Sequence, residues 1–302
     1  GTTREGAVMV AGIRNRLAST TQLPGALAGF AALGLCLALA GCDTVGATRG
    51  LSGSTPRIAE VAPDDPAAAS ANIASLTDVI NRNPNSAEAY LTRGNAYARN
   101  GRMGDAITDF SQAIKIDPNN AAAYTNRGLA QRQLGRNDAA LADFTRAIEV
   151  NPRHASAYLG RANLLRAQGS LDQAMSDLDQ AIRLNPESAQ AFHARGLIYQ
   201  KRGESQRAVT DFDNAIDRDP FAAAPYQARG ESLLALGKYD KAIEDFNATL
   251  NVDNKNPNGW AGLGVAYEKQ GNRVKAAESY QRALVLDPNN RIARDGASRV
   301  RV

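Results

Sequence analysis

The sequence predicts an all-α fold, a solenoid of helical hairpins stacked one upon the next. Three observations carry this expectation. Prolines fall at 84, 118, 152, 186, 220 and 288, with intervals of 34 residues except the last, which doubles to 68 and leaves Asn254 in the skipped slot. Glycines fall at 101, 135, 169, 203, 237 and 271, midway between the proline slots and again 34 apart. Between these breakers apolar residues recur at spacings of three and four, which places them on one helix face. Composition agrees, since 43% of the chain is hydrophobic but only 6% aromatic, which with abundant alanine favours closely packed helices.

The first element in order is an address. Residues 1–41 carry Arg4, Arg14 and Arg16 against Glu5, followed by an apolar stretch from Leu23 to Ala40. A basic start, an apolar middle and small residues before a cut site are the parts of a secretory signal. Pro24, Gly25, Gly29 and Gly34 weaken the stretch as a membrane-spanning helix. Leu39-Ala40-Gly41-Cys42 resembles the lipobox of bacterial lipoproteins. That resemblance implies cleavage before Cys42 and acylation of its thiol and new amino group. An uncleaved anchor that happens to end in a cysteine is the alternative. Met9 offers a second start point, and Asp43 is similar to a signal that retains some lipoproteins in the inner membrane. Inner and outer membrane both stay open.

Residues 42–66 are rich in Gly, Ser, Thr, Pro and Ala without apolar periodicity, and are expected to form a flexible tether. A coil of that length spans roughly 27 Å on average. The solenoid is then expected over 67–302. It begins with a half unit in which Ile73, Leu76, Val79, Ile80 and Pro84 match a second helix.

Six full units follow, at 87–120, 121–154, 155–188, 189–222, 223–256 and 257–290. Breakers alternating every 17 residues leave room for helices of about 12 to 14 residues. The glycine suits a helix C′ position, and the proline disfavours helical geometry in the Asp or Asn before it. Each first helix carries an aromatic landmark: Tyr90, Tyr124, Tyr158, Phe192, Tyr226 and Trp260. Four residues later stands a small one: Gly94, Gly128, Ala162, Gly196, Gly230 and Gly264. Each second helix carries an alanine (Ala106 in the first unit, Ala276 in the last), then Phe110, Phe144, Leu178, Phe212, Phe246 or Tyr280. Large side chains opposite small ones let neighbouring helices approach closely. The last twelve residues occupy the slot of a further first helix and are expected to cap the open end of the stack.

These landmarks resemble the tetratricopeptide repeat (TPR) over residues 87–290. The resemblance implies a right-handed superhelical TPR solenoid that binds extended peptides or partner helices in a concave groove lined by its first helices. By position, that groove includes Leu91, Asn95, Thr125, Asn126, Leu129, Leu159, Asn163, His193, Leu197, Gln227, Glu231 and Val265, edged by Arg132, Arg166, Lys201, Glu268 and Lys269. Family members that clamp chaperone tails hold lysines and arginines where Leu91, Ser156 and Gly160 stand here, so that binding mode is not implied.

One pattern lies outside the family landmarks. Arg93, Arg127, Arg161, Arg195 and Arg229 precede the small residue of five units, and Asp109, Asp143, Asp177, Asp211 and Asp245 precede the large residue of the same five. In the sixth unit both change together, to Leu263 and Ser279. Joint presence and joint loss predict ion pairs, within a unit or between neighbours; a solvated coat of charges is the alternative.

No catalytic constellation stands out. The chain has two cysteines and two histidines, Cys36 falls in the segment to be discarded, and no zinc ligand set, P-loop or nucleophile elbow can be assembled. Trp260, His154 and His193 are expected to be structural or surface residues. No catalytic residue, metal or cofactor is expected. The function implied is a non-enzymatic interaction scaffold, lipid-anchored in the bacterial envelope and facing the periplasm. Similar TPR lipoproteins organise cell-wall hydrolases, outer-membrane protein assembly or pilus secretin assembly. The partners implied are a protein or extended peptide and the membrane through acylated Cys42, with a homo-oligomer left open and no nucleic acid expected. The alternatives are a nucleic-acid or anionic-polymer binder, and a carbohydrate-related enzyme using the groove around His193. The net charge of +4 does not favour the former: residues 1–41 hold +2, the last twelve +3, and the chain between them −1.

Overall fold

The computed structural model describes residues 66–300. The expected signal, Cys42 and the tether up to residue 65 lie outside the described residues. Fourteen α-helices and no strand are found among the described residues. They run α1 (Pro66–Arg82), α2 (Ala87–Arg99), α3 (Met103–Ile116), α4 (Ala121–Gln133), α5 (Asn137–Val150), α6 (Ala155–Ala167) and α7 (Leu171–Leu184). Then come α8 (Ala189–Lys201), α9 (Ser205–Arg218), α10 (Ala223–Ala235), α11 (Tyr239–Val252), α12 (Pro257–Lys269), α13 (Arg273–Leu286) and α14 (Arg291–Arg299). This is the all-α solenoid of helical hairpins that the sequence predicts, with first helices of 13 residues and second helices of 14 in every full unit.

Both turns of the unit are built from the residues that mark the period. Gly101, with φ of 73°, sends its N–H to the Ala98 carbonyl, and Arg102 sends its own to Tyr97. This pair of bonds closes the helix end and requires the left-handed geometry that glycine adopts without strain. At the other turn the residue before proline is extended and its carboxylate or amide oxygen accepts a backbone N–H two residues on, as Asp117 does from Asn119 at 3.1 Å. Asp253 makes the same bond to Lys255 at 3.1 Å although Asn254 follows it. The turn therefore survives the missing proline because the Asp side chain holds it.

The core is made of rings wedged between small residues. A Cβ added at Gly94 would fall 2.6 Å from Phe110 Cε1, and one at Gly128 would fall 2.9 Å from Phe144 Cε1. The same Phe144 ring meets Gly160 of the next unit, at 2.5 Å for an added Cβ. Each ring is thus gripped by its own first helix and by the following one, which welds successive units. In the third unit Ala162 and Leu178 replace glycine and phenylalanine together, and both are fully buried.

The backbones of successive first helices approach one another closely, α2 with α4, α4 with α6 and so on to α12 with α14, whereas those of successive second helices stay farther apart among the described residues. The first helices therefore line the inner, tighter side of the stack. At its end α14 covers α13 with Ala293, Gly296 and Val300 while its arginines face outward. At its start Val79 of the half unit is 45% exposed, whereas its neighbour Ile80 is buried.

Candidate functional site

The predicted arginine and aspartate residues meet in a regular ladder. In each of five units the arginine Nε and Nη2 donate to the two carboxylate oxygens of the aspartate 16 residues on, at 2.7–2.9 Å. The third nitrogen, Nη1, reaches back to the second helix of the unit before. It donates to Thr77 from Arg93, Ser111 from Arg127, Thr145 from Arg161, Asp179 from Arg195 and Asp213 from Arg229. Pairing is therefore both within and between units. The aspartates are buried and the guanidiniums half-buried. Hydrogen bonding to the carboxylate raises each arginine pKa against the lowering effect of burial. In the sixth unit Leu263 and Ser279 are both buried, and the Ser279 hydroxyl turns to the Lys275 carbonyl.

The opposite face of the first helices is free of this ladder. On a helix, positions two before and two after the ladder arginine lie about 200° away from it. Those positions, with a third residue three further on, give one stripe per helix: Thr125, Leu129 and Arg132 on α4, Leu159, Asn163 and Arg166 on α6. They continue as His193, Leu197 and Gln200 on α8 and Gln227, Glu231 and Leu234 on α10. Most of these side chains are half-buried and Glu231 is exposed, so they offer a wall that is ordered but open. Amide groups tie the stripes across units. Asn126 donates to Asn95 at 2.8 Å, Gln200 donates to Ser232 at 3.1 Å, and Asn256 donates to Gln227 at 3.1 Å. Gln227 in turn donates to Glu231 at 3.1 Å.

Two expected groove residues differ. Leu91 is buried and packs with Phe110, Ala123 and Ala130, so it closes the core beneath α4. Thr125 is buried too, its hydroxyl spent on the Ala121 carbonyl at 2.9 Å.

The histidines are less exposed than the sequence suggests. His193 is half-buried with its ring 5.7 Å from that of Phe212. Burial, and then the charge of Arg166, lowers its pKa. His154 is half-buried at the start of α6, where burial lowers its pKa. Trp260 is likewise only half-buried. It donates from Nε1 to the Asn254 carbonyl at 3.1 Å, lies under the Arg282 guanidinium, and lines a shallow cavity of about 420 Å³ with Val285 and Leu286. Among the described residues no group of three His, Cys, Asp or Glu side chains is placed to hold a metal ion. None of their helices is long and apolar enough to cross a membrane.

What sequence reasoning missed is the second small residue of the ring sandwich. Gly160, Gly262 and Gly296 meet Phe144, Phe246 and Tyr280 of the unit before. A signal was present: Gly160 and Gly262 each stand two residues before a recognised small landmark.

A stack of helical hairpins with one locked face and one open amide-lined face defines the class. The family model for the tetratricopeptide repeat matches residues 125–189, 193–250 and 227–291, and a further TPR model matches 94–135. The chain belongs to the tetratricopeptide repeat family. No curated protein sequence matches it. Among solved structures it is similar to a chain of the APC/C heterotetramer Cut9–Hcn1, at 21% identity and a TM-score of 0.69 over 77% of this chain. It spans only 46% of that chain. It is also similar to pilF of Pseudomonas aeruginosa (18% identity, TM-score 0.65, 70% of this chain and 97% of that one). YrrB, described as a TPR protein with an unusual peptide-binding site, matches at 23% identity with a TM-score of 0.53, over 63% of this chain and 97% of that one. These likenesses show the fold.

Proposed function

We propose that this chain is a non-enzymatic protein-interaction scaffold, tethered to a bacterial envelope membrane through acylated Cys42 and facing the periplasm, with an extended peptide or partner segment held along its first helices. One observation carries the reading. From α4 to α10 the stripes set leucine and amide side chains beside one another in an open wall, while the Arg–Asp ladder fixes the helices from behind. Amides that bond side chain to side chain are positioned to exchange those bonds for a peptide backbone, and leucines between them supply apolar contact. The lipobox-like Leu39-Ala40-Gly41-Cys42 supports the anchor, and the Gly/Ser/Thr/Pro-rich segment after it suits a tether.

The groove is tested with a photo-crosslinking amino acid placed at Leu129 or Leu197, and at exposed Thr108 on a second helix as control. Partner proteins crosslinked in intact cells from the first two positions but not the third support the reading. Equal crosslinking from all three, or from none, defeats it. For the anchor, lipid labelling lost in Cys42→Ser is expected, and unchanged labelling would refute it.

A further inference from the structure

The charges along the open face are unevenly settled. Glu231 accepts from Gln227, and Glu268 is held by Arg299 at 2.8 Å and by the Tyr280 hydroxyl at 2.5 Å. Arg132 and Arg166 occupy equivalent places on the adjacent helices α4 and α6, which touch. Among the described residues neither makes an ion pair, and the Nε of Arg166 is buried with no hydrogen-bond partner. A buried donor on a cation, left unmatched, costs free energy that a native fold normally recovers from an acceptor. The two guanidiniums also repel: burial first, and the charge of Arg132 second, lower the pKa of Arg166. The charge of Arg166 in turn acts on His193 of α8. Three helices thus direct two cations and an imidazole at one stretch of the groove without an acidic counterpart.

We propose that Arg132 and Arg166, with His193 beside them, form an anion subsite that takes the side-chain carboxylates of an acidic, extended peptide. The inference rests on the groove reading above and names the chemistry of its partner. Guanidinium groups match carboxylates in a planar, two-bonded geometry, which gives register as well as attraction. Leu129 shares α4 with Arg132, Leu159 and Asn163 share α6 with Arg166, and Leu197 shares α8 with His193, so apolar and amide side chains stand on the same stripes as the charges. Nucleic acid fits less well. The basic residues of the edge, Arg132, Arg166 and Lys201, give way to Glu231 on α10, whereas a phosphate backbone needs a continued stripe and bases need aromatic platforms.

The test uses the full chain and a displayed library of random peptides of about twelve residues, enough in extended form to cross three first helices. The selected pool is expected to be enriched in Asp and Glu. A synthetic member with an amidated C-terminus is expected to bind about tenfold or more weakly to Arg132→Gln and to Arg166→Gln, and to lose a similar factor when its own glutamates become glutamines. Arg166→Lys keeps the charge but loses the two-bonded fork and is expected to bind between the parent and Arg166→Gln, and a double charge reversal, Arg132→Glu with Arg166→Glu, selects basic peptides instead. Circular dichroism of each variant checks that the helices persist. A pool of binders with no acidic enrichment, indifferent to both arginines, overturns the subsite and leaves the groove reading standing. Binding that disappears on amidation assigns the site to a chain terminus and overturns the side-chain proposal. A fluorescent oligo-dT that binds in an Arg166-dependent way, where no acidic peptide does, also overturns it. No peptide at all defeats the groove reading with it.

Discussion

Arg127 grips Asp143 through two hydrogen bonds of 2.7 and 2.9 Å, and with its remaining nitrogen reaches Ser111 of the preceding unit at 3.1 Å. One guanidinium therefore joins three helices. Asp143 is 6% exposed and Arg127 half-buried, so removing the carboxylate leaves a partly desolvated cation without its partner. Asp143→Ala is expected to lower stability by about 3–5 kcal/mol, since breaking a buried pair leaves an uncompensated charge. The double change Arg127→Leu with Asp143→Ser copies the sixth unit and is expected to cost much less than the sum of the single changes. Urea melts of the four proteins measure the coupling. Additive losses would show that the two side chains act independently.

The Phe144 sandwich gives a second expectation. A methyl group at Gly160 would sit 2.5 Å from the ring of Phe144, inside contact distance. Gly160→Ala should therefore destabilise by about 1–3 kcal/mol, the range for overpacking a filled core. Phe144→Leu in the same chain should recover part of that loss, because Leu178 already lies against Ala162 and Ala194 one unit on. Thermal melts compare the variants. A Gly160→Ala protein as stable as the parent would show that the ring is free to move aside.

The fold was legible because each period carries its own punctuation: a glycine that must take positive φ and an Asp or Asn that turns the chain before proline. These signals are local, and local geometry repeats wherever the residues do. The ladder was legible for a different reason, since loss of Arg and Asp together in the sixth unit leaves a trace in one dimension. Burial was not. Leu91 and Thr125 have the spacing of groove residues but are covered by the core they complete, which depends on how closely α2 and α4 approach. Arg166 stands where Gln200 and Glu268 stand in other units, and only the packed structure shows that its Nε lacks a partner.

Asn254 supplies a third prediction. Asp253 before it has φ −137° and ψ 93°, close to the −141° and 83° of Asp219, which precedes Pro220. The backbone is thus already in the geometry a following proline demands. Asn254→Pro is expected to stabilise by about 0.4–1 kcal/mol through reduced freedom of the unfolded chain. A lower midpoint in urea would mean that the turn at Asn254 departs from its six proline-bearing equivalents.

The last prediction concerns acid. Burial, and then the positive charge of Arg166, holds the pKa of His193 below its ordinary 6.5 in the folded state. Burial lowers His154 in the same direction. In the unfolded chain both return to the ordinary value, so between pH 6.5 and the lowered pKa the unfolded state binds more protons. Stability is therefore full above pH 6.5 and falls as pH drops through that value, with a slope of at most about 1.4 kcal/mol per pH unit for each histidine. His193→Gln removes one of the two contributions. Its urea midpoint is expected to change less than the parent's between pH 7.5 and about pH 5.5, above the range where most carboxylates titrate. Equal slopes for the two proteins would place His193 in water rather than against Phe212 and beside Arg166.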